Sequence, residues 1–294
     1  MKSLSFLDQD CIVLENDILQ LLVSSSIGPR ILSLRFHKGR NLLAELPDFL
    51  VKRPDGKPYH FYGGHRLWLS PEDPIRSYGL DDKAVEISQT DEGLLVRKQV
   101  EPDTGFEKSI LLTLDPDKAR LTLAHHLKNR GPLPTECAPW TITQFRTGGV
   151  ALLPQTRTET GLLPNRALSL WPYADISSPY MSLGNEYILL RAEMETPFKI
   201  GFSNPRGWLA YWLDSVLFVK RAAFDPQGKY PDFGSSSECY CNQHFLELET
   251  LAPLNIIKAG ASVTHVETWE VYHDNQVPKD EESARAIAEE IGLE

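Results

Sequence analysis

Cysteine is scarce. The 294-residue chain has four, Cys11, Cys137, Cys239 and Cys241, and no Cys-x-x-Cys pair faces a second Cys or His pair. That excludes a zinc ribbon or finger and a disulfide scaffold, and free thiols are expected. No run of apolar residues reaches the length of a membrane-spanning helix, and the first ten residues carry no apolar signal core. Localisation is therefore expected to be cytoplasmic. Basic clusters are also missing along the chain, and the formal net charge is −10. Nucleic acid and anionic membranes are thus not expected partners. No internal repeat or low-complexity tract is present. Helical periodicity is almost absent too, which argues against a βαβ protein.

Short alternating segments separated by turn residues take its place. Ile12–Asp17, Ile18–Val23 and Arg30–Phe36 read as consecutive strands. Residues 84–128 read as an antiparallel meander, with turns at Asp91-Glu-Gly93, Asp103-Thr-Gly105 and Asp115-Pro-Asp117. A turn every 8–12 residues or so is the mark of a sandwich or barrel. Glu45–Tyr59 carries Pro47, Pro54, Gly56 and Pro58 and reads as a long loop. Trp208–Leu213 and Val216–Arg221 read as a hairpin, and Cys239–Leu251 and Ala261–His273 as two long strands. Only Lys279–Ile291 reads as a helix, with acids in its first turn and one apolar stripe. The expected fold class is all-β: large antiparallel sheets forming one domain over residues 1–277, with a helix in 278–294 docked on it.

Two stretches carry chemistry. In Phe61-Tyr-Gly-Gly-His-Arg-Leu-Trp68, the glycines permit a bend or a close backbone approach, and alternation puts Arg66 and Trp68 on one face. A planar cation beside an indole suits a ligand with hydroxyl groups and a C–H face, as a sugar has. In His244–Thr250, alternation puts Glu247 and Glu249 on one face with Phe245 and Leu251. Two carboxylates on a partly buried face repel, and desolvation raises the pKa of at least one, which suits a general base. His125 falls on an apolar face and His126 on a polar one. Lys220 sits among Val216 and Phe218, where it snorkels or reaches a ligand. Asp232 lies in a loop just before the glutamate strand.

These residues, in this order, resemble the galactose mutarotase-like superfamily, the β-supersandwich of aldose 1-epimerases and hexose-6-phosphate mutarotases. The resemblance covers about residues 10–273. It rests on Gly63-Gly-His-Arg-Leu-Trp68, on Leu127-Lys-Asn129 before Pro132, and on a C-terminal series. That series is Tyr230-Pro-Asp-Phe-Gly234, Phe245-Leu-Glu-Leu-Glu-Thr250, Lys258-Ala-Gly260 and Trp269-Glu-Val-Tyr272. It implies an enzyme that interconverts the anomers of a small-molecule sugar without a cofactor or metal, as a monomer or homodimer. Glu249 matches the family's base, with Glu247 as fallback, and Arg66 its sugar-binding arginine. Two departures stand out. Trp140, in Glu136-Cys-Ala-Pro-Trp-Thr-Ile142, occupies the place of the acid histidine, and Tyr78-Gly79 that of a second histidine. The acid is then His65, His126, Tyr78 or Asp232, or is missing. Missing, it leaves a sugar-binding protein with Trp68 and Trp140 as stacking platforms. An accessory domain of a polysaccharide lyase or hydrolase is a third expectation.

Overall fold

The computed structural model describes residues 1–293. In chain order the strands are β1 (Ser3–Phe6), β2 (Gln9–Glu15), β3 (Leu19–Ser24), β4 (Arg30–Phe36), β5 (Glu45–Lys52), β6 (Pro58–Ser70), β7 (Glu86–Thr90), β8 (Gly93–Arg97), β9 (Phe106–Leu114), β10 (Arg120–Asn129), β11 (Thr135–Phe145), β12 (Val150–Pro154), β13 (Leu168–Leu170), β14 (Met181–Leu183), β15 (Tyr187–Arg191), β16 (Phe198–Phe202), β17 (Trp208–Leu213), β18 (Val216–Ala222), β19 (Ser237–Cys241), β20 (Leu246–Leu251), β21 (Asn255–Ile257) and β22 (Ser262–His273). A single helical turn, α1 (Pro231–Gly234), precedes β19, and α2 (Glu281–Glu290) follows β22.

Two antiparallel sheets face each other. The first runs β1-β2-β3-β4-β6-β11-β20-β19-β16-β13, with β5 paired to β6 and β21 to β11. The second runs β14-β15-β12-β17-β18-β22-β10-β9-β8-β7. The main apolar core lies between them, where Leu21, Leu69, Leu123, Leu153, Phe198, Phe218, Leu248 and Trp269 are all buried. All four cysteines are buried free thiols. On the outer side of the second sheet, Ala284, Ile287 and Ala288 of α2 cover Leu152, Trp208 and Leu217. The Asp280 carboxylate caps α2 by accepting from Ser283 N at 2.9 Å. Among the described residues no helix is long and apolar enough to cross a membrane.

Three segments depart from the sequence expectation. Glu45–Tyr59 is not a loop but the β5–β6 hairpin. Its pairing slips between Leu46 and Leu50, where Pro47 needs no ladder partner, and Pro54 and Gly56 form the turn. Cys239–Leu251 is two strands, because the Asn242 carboxamide accepts from the His244 and Phe245 amides and turns the chain back. A four-residue edge strand, β1, precedes the first expected one.

A polar seam crosses the apolar core. Lys220, on β18, reaches over to the first sheet and donates to Leu248 O and Thr143 Oγ1, both at 3.1 Å. Its ammonium lies 2.9 Å from Glu267 Oε1 on β22, in a fully buried ion pair. Thr250 and Trp269 also donate to Glu267, at 2.6 and 2.9 Å. His125 Nδ1 meets the His265 carbonyl, so it carries the proton and Nε2 is left to accept from His65 Nε2, 2.7 Å away. Burial depresses all three histidines, His125 to about 3, His265 to about 4 and His65 well below its usual value. Glu267 is held well below the usual carboxylate range: Lys220 and the histidines outweigh its burial.

These shifts share one sign. In the unfolded chain the histidines take up protons near pH 6.5, and in the folded chain they resist down to about pH 4 or lower. The histidine contribution to stability is therefore full above about pH 6.5 and falls as the pH drops below it, and Glu267 adds to the loss below about pH 4.5. Glu238 and Glu247, which burial raises, act in the opposite sense over the same range, so the histidines are best read directly. In NMR titration the rings of His125 and His265 are expected to stay neutral from pH 7 to pH 5. A ring that takes up its proton above pH 5 would contradict the neutral buried histidines.

Candidate active site

β6, β11, β20, β19 and β16 lie side by side, and their register fixes which side chains meet. Trp140 pairs with Trp68 and with Leu251, and Ile142 with Arg66 and with Glu249. Glu249 pairs with Glu238, Glu247 with Tyr240, and Tyr240 with Lys199. Paired residues share a face, so these side chains all project from the side away from the second sheet. There they meet a cleft of about 420 Å³. Its walls are aromatic: Trp68, Trp140, Trp171, Tyr78, Tyr173 and Tyr240, with Phe49, Phe61 and Phe245. Its polar groups are Arg66, Lys199, Glu72, Glu247 and Asn242.

The glycines of β6 make this possible. Gly63 and Gly64 have φ of +85° and +76°, and a Cβ there would lie 1.9 Å from Ala44 O and 2.0 Å from Ile31 O. Only glycine permits that approach of β6 to β4 and the Ala44 segment. The buried Arg30 guanidinium then donates to Phe61 O and Gly63 O at 2.6 and 2.8 Å, and pairs with Asp81. Tyr59 OH accepts from Trp68 Nε1 at 3.1 Å.

The two glutamates of β20 have different surroundings. Glu247 lines the cleft, and its Oε1 accepts from Arg66 Nη2 at 3.0 Å and Gln144 Nε2 at 2.9 Å. Burial, with Glu249 nearby, raises it to about 7, against the pull of Arg66 and Lys199. Glu249 is fully buried and does not line the cleft. Its Oε2 accepts from Trp140 Nε1 at 2.7 Å and Lys199 Nζ at 3.0 Å. Lys199 is also 2.7 Å from Glu238 Oε2, in an ion pair that is off the hydrogen-bond direction. The ammonium sits 4.6 Å from the ring centres of both Trp140 and Trp171. Lys199 stays protonated well above its ordinary range, held by Glu238 and Glu249 against its burial. Burial, with Glu249 nearby, pushes Glu238 above the usual carboxylate range, against the pull of Lys199.

Of the residues singled out in the sequence, Arg66, Trp68, Tyr78, Trp140 and Glu247 come together on the cleft. Arg66 stacks on Trp68 at 4.4 Å, and its Nε and Nη1 have no partner. Tyr78 donates to Glu72 Oε1 at 2.8 Å. Glu249 lies beneath the cleft floor. His65 lies on the opposite face of β6, inside the sandwich, between His125 and Thr143. Lys220 is in the same seam and neither snorkels nor reaches the cleft. His126 is half-buried on the other face of β10, 2.8 Å from Thr264 Oγ1. Asp232 has φ +49° and offers its backbone carbonyl to Ser169 and Ser235 at 2.8 Å.

Lys199, Tyr240, Trp171, Tyr173 and Glu72 were not singled out. Lys199 had a readable signal, a lysine between Phe198 and Ile200 in a buried strand. Trp171 and Tyr173 stand in an irregular segment, where no periodicity assigns a face. One group among the described residues has metal-ligand spacing: His65, His125 and Glu267, with ligand atoms within 4.8 Å of one another. The Lys220 ammonium at Glu267 and the His65–His125 hydrogen bond already satisfy it, so it does not fit a cation.

Solved structures of similar shape define the fold. A protein from Synechocystis sp. PCC 6803 superposes with a TM-score of 0.60 at 13% identity, over 93% of this chain and 100% of that one. A protein provisionally named an aldose 1-epimerase, from Escherichia coli K12, gives 0.55 at 14% identity, over 90% and 99%. A galactose mutarotase-like protein from Lactobacillus casei gives 0.55 at 11%, over 89% and 100%. The chain thus has the galactose mutarotase-like fold. No protein-family model matches the sequence, and no curated protein is significantly similar to it.

Lys199→Met leaves two buried carboxyl groups without their cation and is expected to cost about 3–5 kcal/mol in urea unfolding. Trp140→Phe removes one hydrogen bond to Glu249 and is expected to cost about 1–3 kcal/mol. Equal costs would show that Lys199 does not compensate the pair.

Proposed function

We propose that the cleft binds a small sugar and interconverts its anomers by general acid–base ring opening, as an aldose 1-epimerase does. The observation that carries this reading is Glu247, a carboxyl group in an aromatic cleft with a pKa raised to about 7. A base is most effective when its pKa lies near the working pH. Aromatic walls suit the C–H faces of a pyranose, and Arg66, Lys199, Glu72 and Asn242 suit its hydroxyl groups.

In this reading Glu247 takes the proton of the anomeric hydroxyl as the bond from the anomeric carbon to the ring oxygen breaks. Tyr240 gives its proton to the ring oxygen. Asn242 Oδ1 accepts from two backbone amides, so its Nδ2 is the atom that donates to Tyr240 OH, at 3.2 Å. The tyrosine's own proton is left free to point at a ligand, and the Tyr240–Glu247 cross-strand pairing puts the two groups side by side. The open-chain aldehyde turns about its first carbon–carbon bond and recloses with both transfers reversed. Glu249, beneath the floor, holds Trp140 and Lys199 in place.

A second reading, sugar binding without turnover, is favoured by Trp140. The sequence resemblance sets its indole where aldose 1-epimerases carry an acid histidine, and an indole whose N–H is taken by Glu249 does not donate a proton to a ring oxygen.

Anomer exchange measured by NMR on a panel of hexoses, hexose phosphates, uronic acids and deoxysugars separates the two. Glu247→Gln and Tyr240→Phe are each expected to slow exchange by about 10²–10⁴-fold. The rate should rise with pH through about 7, because Glu247 acts as a base only when ionised. Saturation transfer to a sugar without exchange would favour the binding protein. Exchange that survives Glu247→Gln would remove Glu247 as the base.

A further inference from the structure

We propose a second ligand site, for a small phosphate monoester, in a cavity separate from the sugar cleft. The cavity has a volume of about 830 Å³ and lies between the turn after β4, the end of β11 and the turn before β20. Arg35, Lys38, Arg40 and Arg146 line it, against a single acid, Glu45. Three of these cations stand together in Arg35-Phe-His-Lys-Gly-Arg40, and the fold adds the fourth, Arg146, from the segment after β11. The fold gathers them on a chain whose formal net charge is −10.

Much of this charge is not neutralised by the protein. Among the described residues neither Arg35 nor Lys38 has a carboxylate within ion-pair distance, only Glu15 acts on Lys38 from farther off, and the buried Arg35 Nε has no hydrogen-bond partner. Arg40 is only 3.9 Å from Asp214, with an exposed side chain. Arg146 is held by the Asn41 carbonyl at 2.5 Å and Asp214 at 2.7 Å, so it forms a fixed wall. The turn is ordered by Gly39 N donating to Phe36 O and His37 N to Ile18 O, both at 2.8 Å. Guanidinium groups lining one cavity suit the oxygen geometry of a phosphate. A phosphate monoester carries close to two charges and three acceptor oxygens, enough to engage several of these cations at once. The ring contact of Phe49 with His244, 5.1 Å between centroids, divides this cavity from the sugar cleft, which Phe49 also lines. The site therefore does not depend on the proposed anomer exchange.

The test is titration with glycerol phosphate and inorganic phosphate, followed by ³¹P NMR, with chloride at matched ionic strength as control. Saturable binding is expected. Lys38→Gln/Arg40→Gln changes two exposed side chains, leaves folding intact, and should weaken binding about tenfold or more. Arg35→Lys keeps the charge, loses the fork and should weaken it less. Arg130→Gln removes a charge paired with Glu107 elsewhere and should change nothing. No saturable binding, or equal weakening in Arg130→Gln, would overturn the site.

Discussion

Two backbone oxygens stand where β-carbons at residues 63 and 64 would be, and the cleft depends on that contact. Because Ala44 O and Ile31 O press on Gly63 and Gly64, β6 can pair with the β5 hairpin at one end and with β4 and β11 at the other. The strand then presents Arg66 and Trp68 to the cleft and His65 and Leu67 to the core. Arg30 holds the bend from inside by binding the carbonyls of Phe61 and Gly63. A β-carbon at either glycine would push β6 off its neighbours and misplace both the guanidinium and the indole.

Charge is distributed around β20 by alternation. Glu247 and Glu249 face the cleft side, while Leu248 and Thr250 between and beyond them face the polar seam of the core. Each layer is balanced separately. Arg66 serves Glu247, Lys199 serves Glu238 and Glu249, and Lys220 serves Glu267. Buried pairs of this kind offset a desolvation cost rather than add much stability, and removing one member exposes the full cost of the other. The balance leaves Glu247 as the one carboxyl group of these four that both borders the cleft and is drawn to about neutral pH.

Much of the fold could be read from the sequence. Turn spacing and alternation gave the meander β7–β10, the hairpin β17–β18 and the terminal helix, because those signals are local. The shared faces of Arg66 with Trp68 and of Glu247 with Glu249 also followed from a two-residue period. Period two does not say which face is the core and which the cleft. For that reason Lys220, expected to snorkel or to reach a ligand, and His65, one of the candidate acids, lie inside the sandwich instead. It also does not say how deep a side chain lies, and depth separates Glu249 from Glu247. Residues brought from irregular segments, such as Trp171 and Tyr173, depend on tertiary folding and leave no local trace, and the basic turn Arg35–Arg40 gives no hint that Arg146 closes a cavity over it.

The four buried thiols turn the core into a clock. Burial raises Cys11 and Cys137 to about 11, Cys241 to about 12 and Cys239 well above its ordinary value. Thiolate, the reactive form, is thus doubly suppressed, by pKa and by access. Cys239 and Cys241 lie in the core between the sheets, and Cys11 lies in a small cluster beside β3 and β4. An alkylating reagent therefore reports when each region opens, and the order in which the thiols react ranks the local openings of the sandwich.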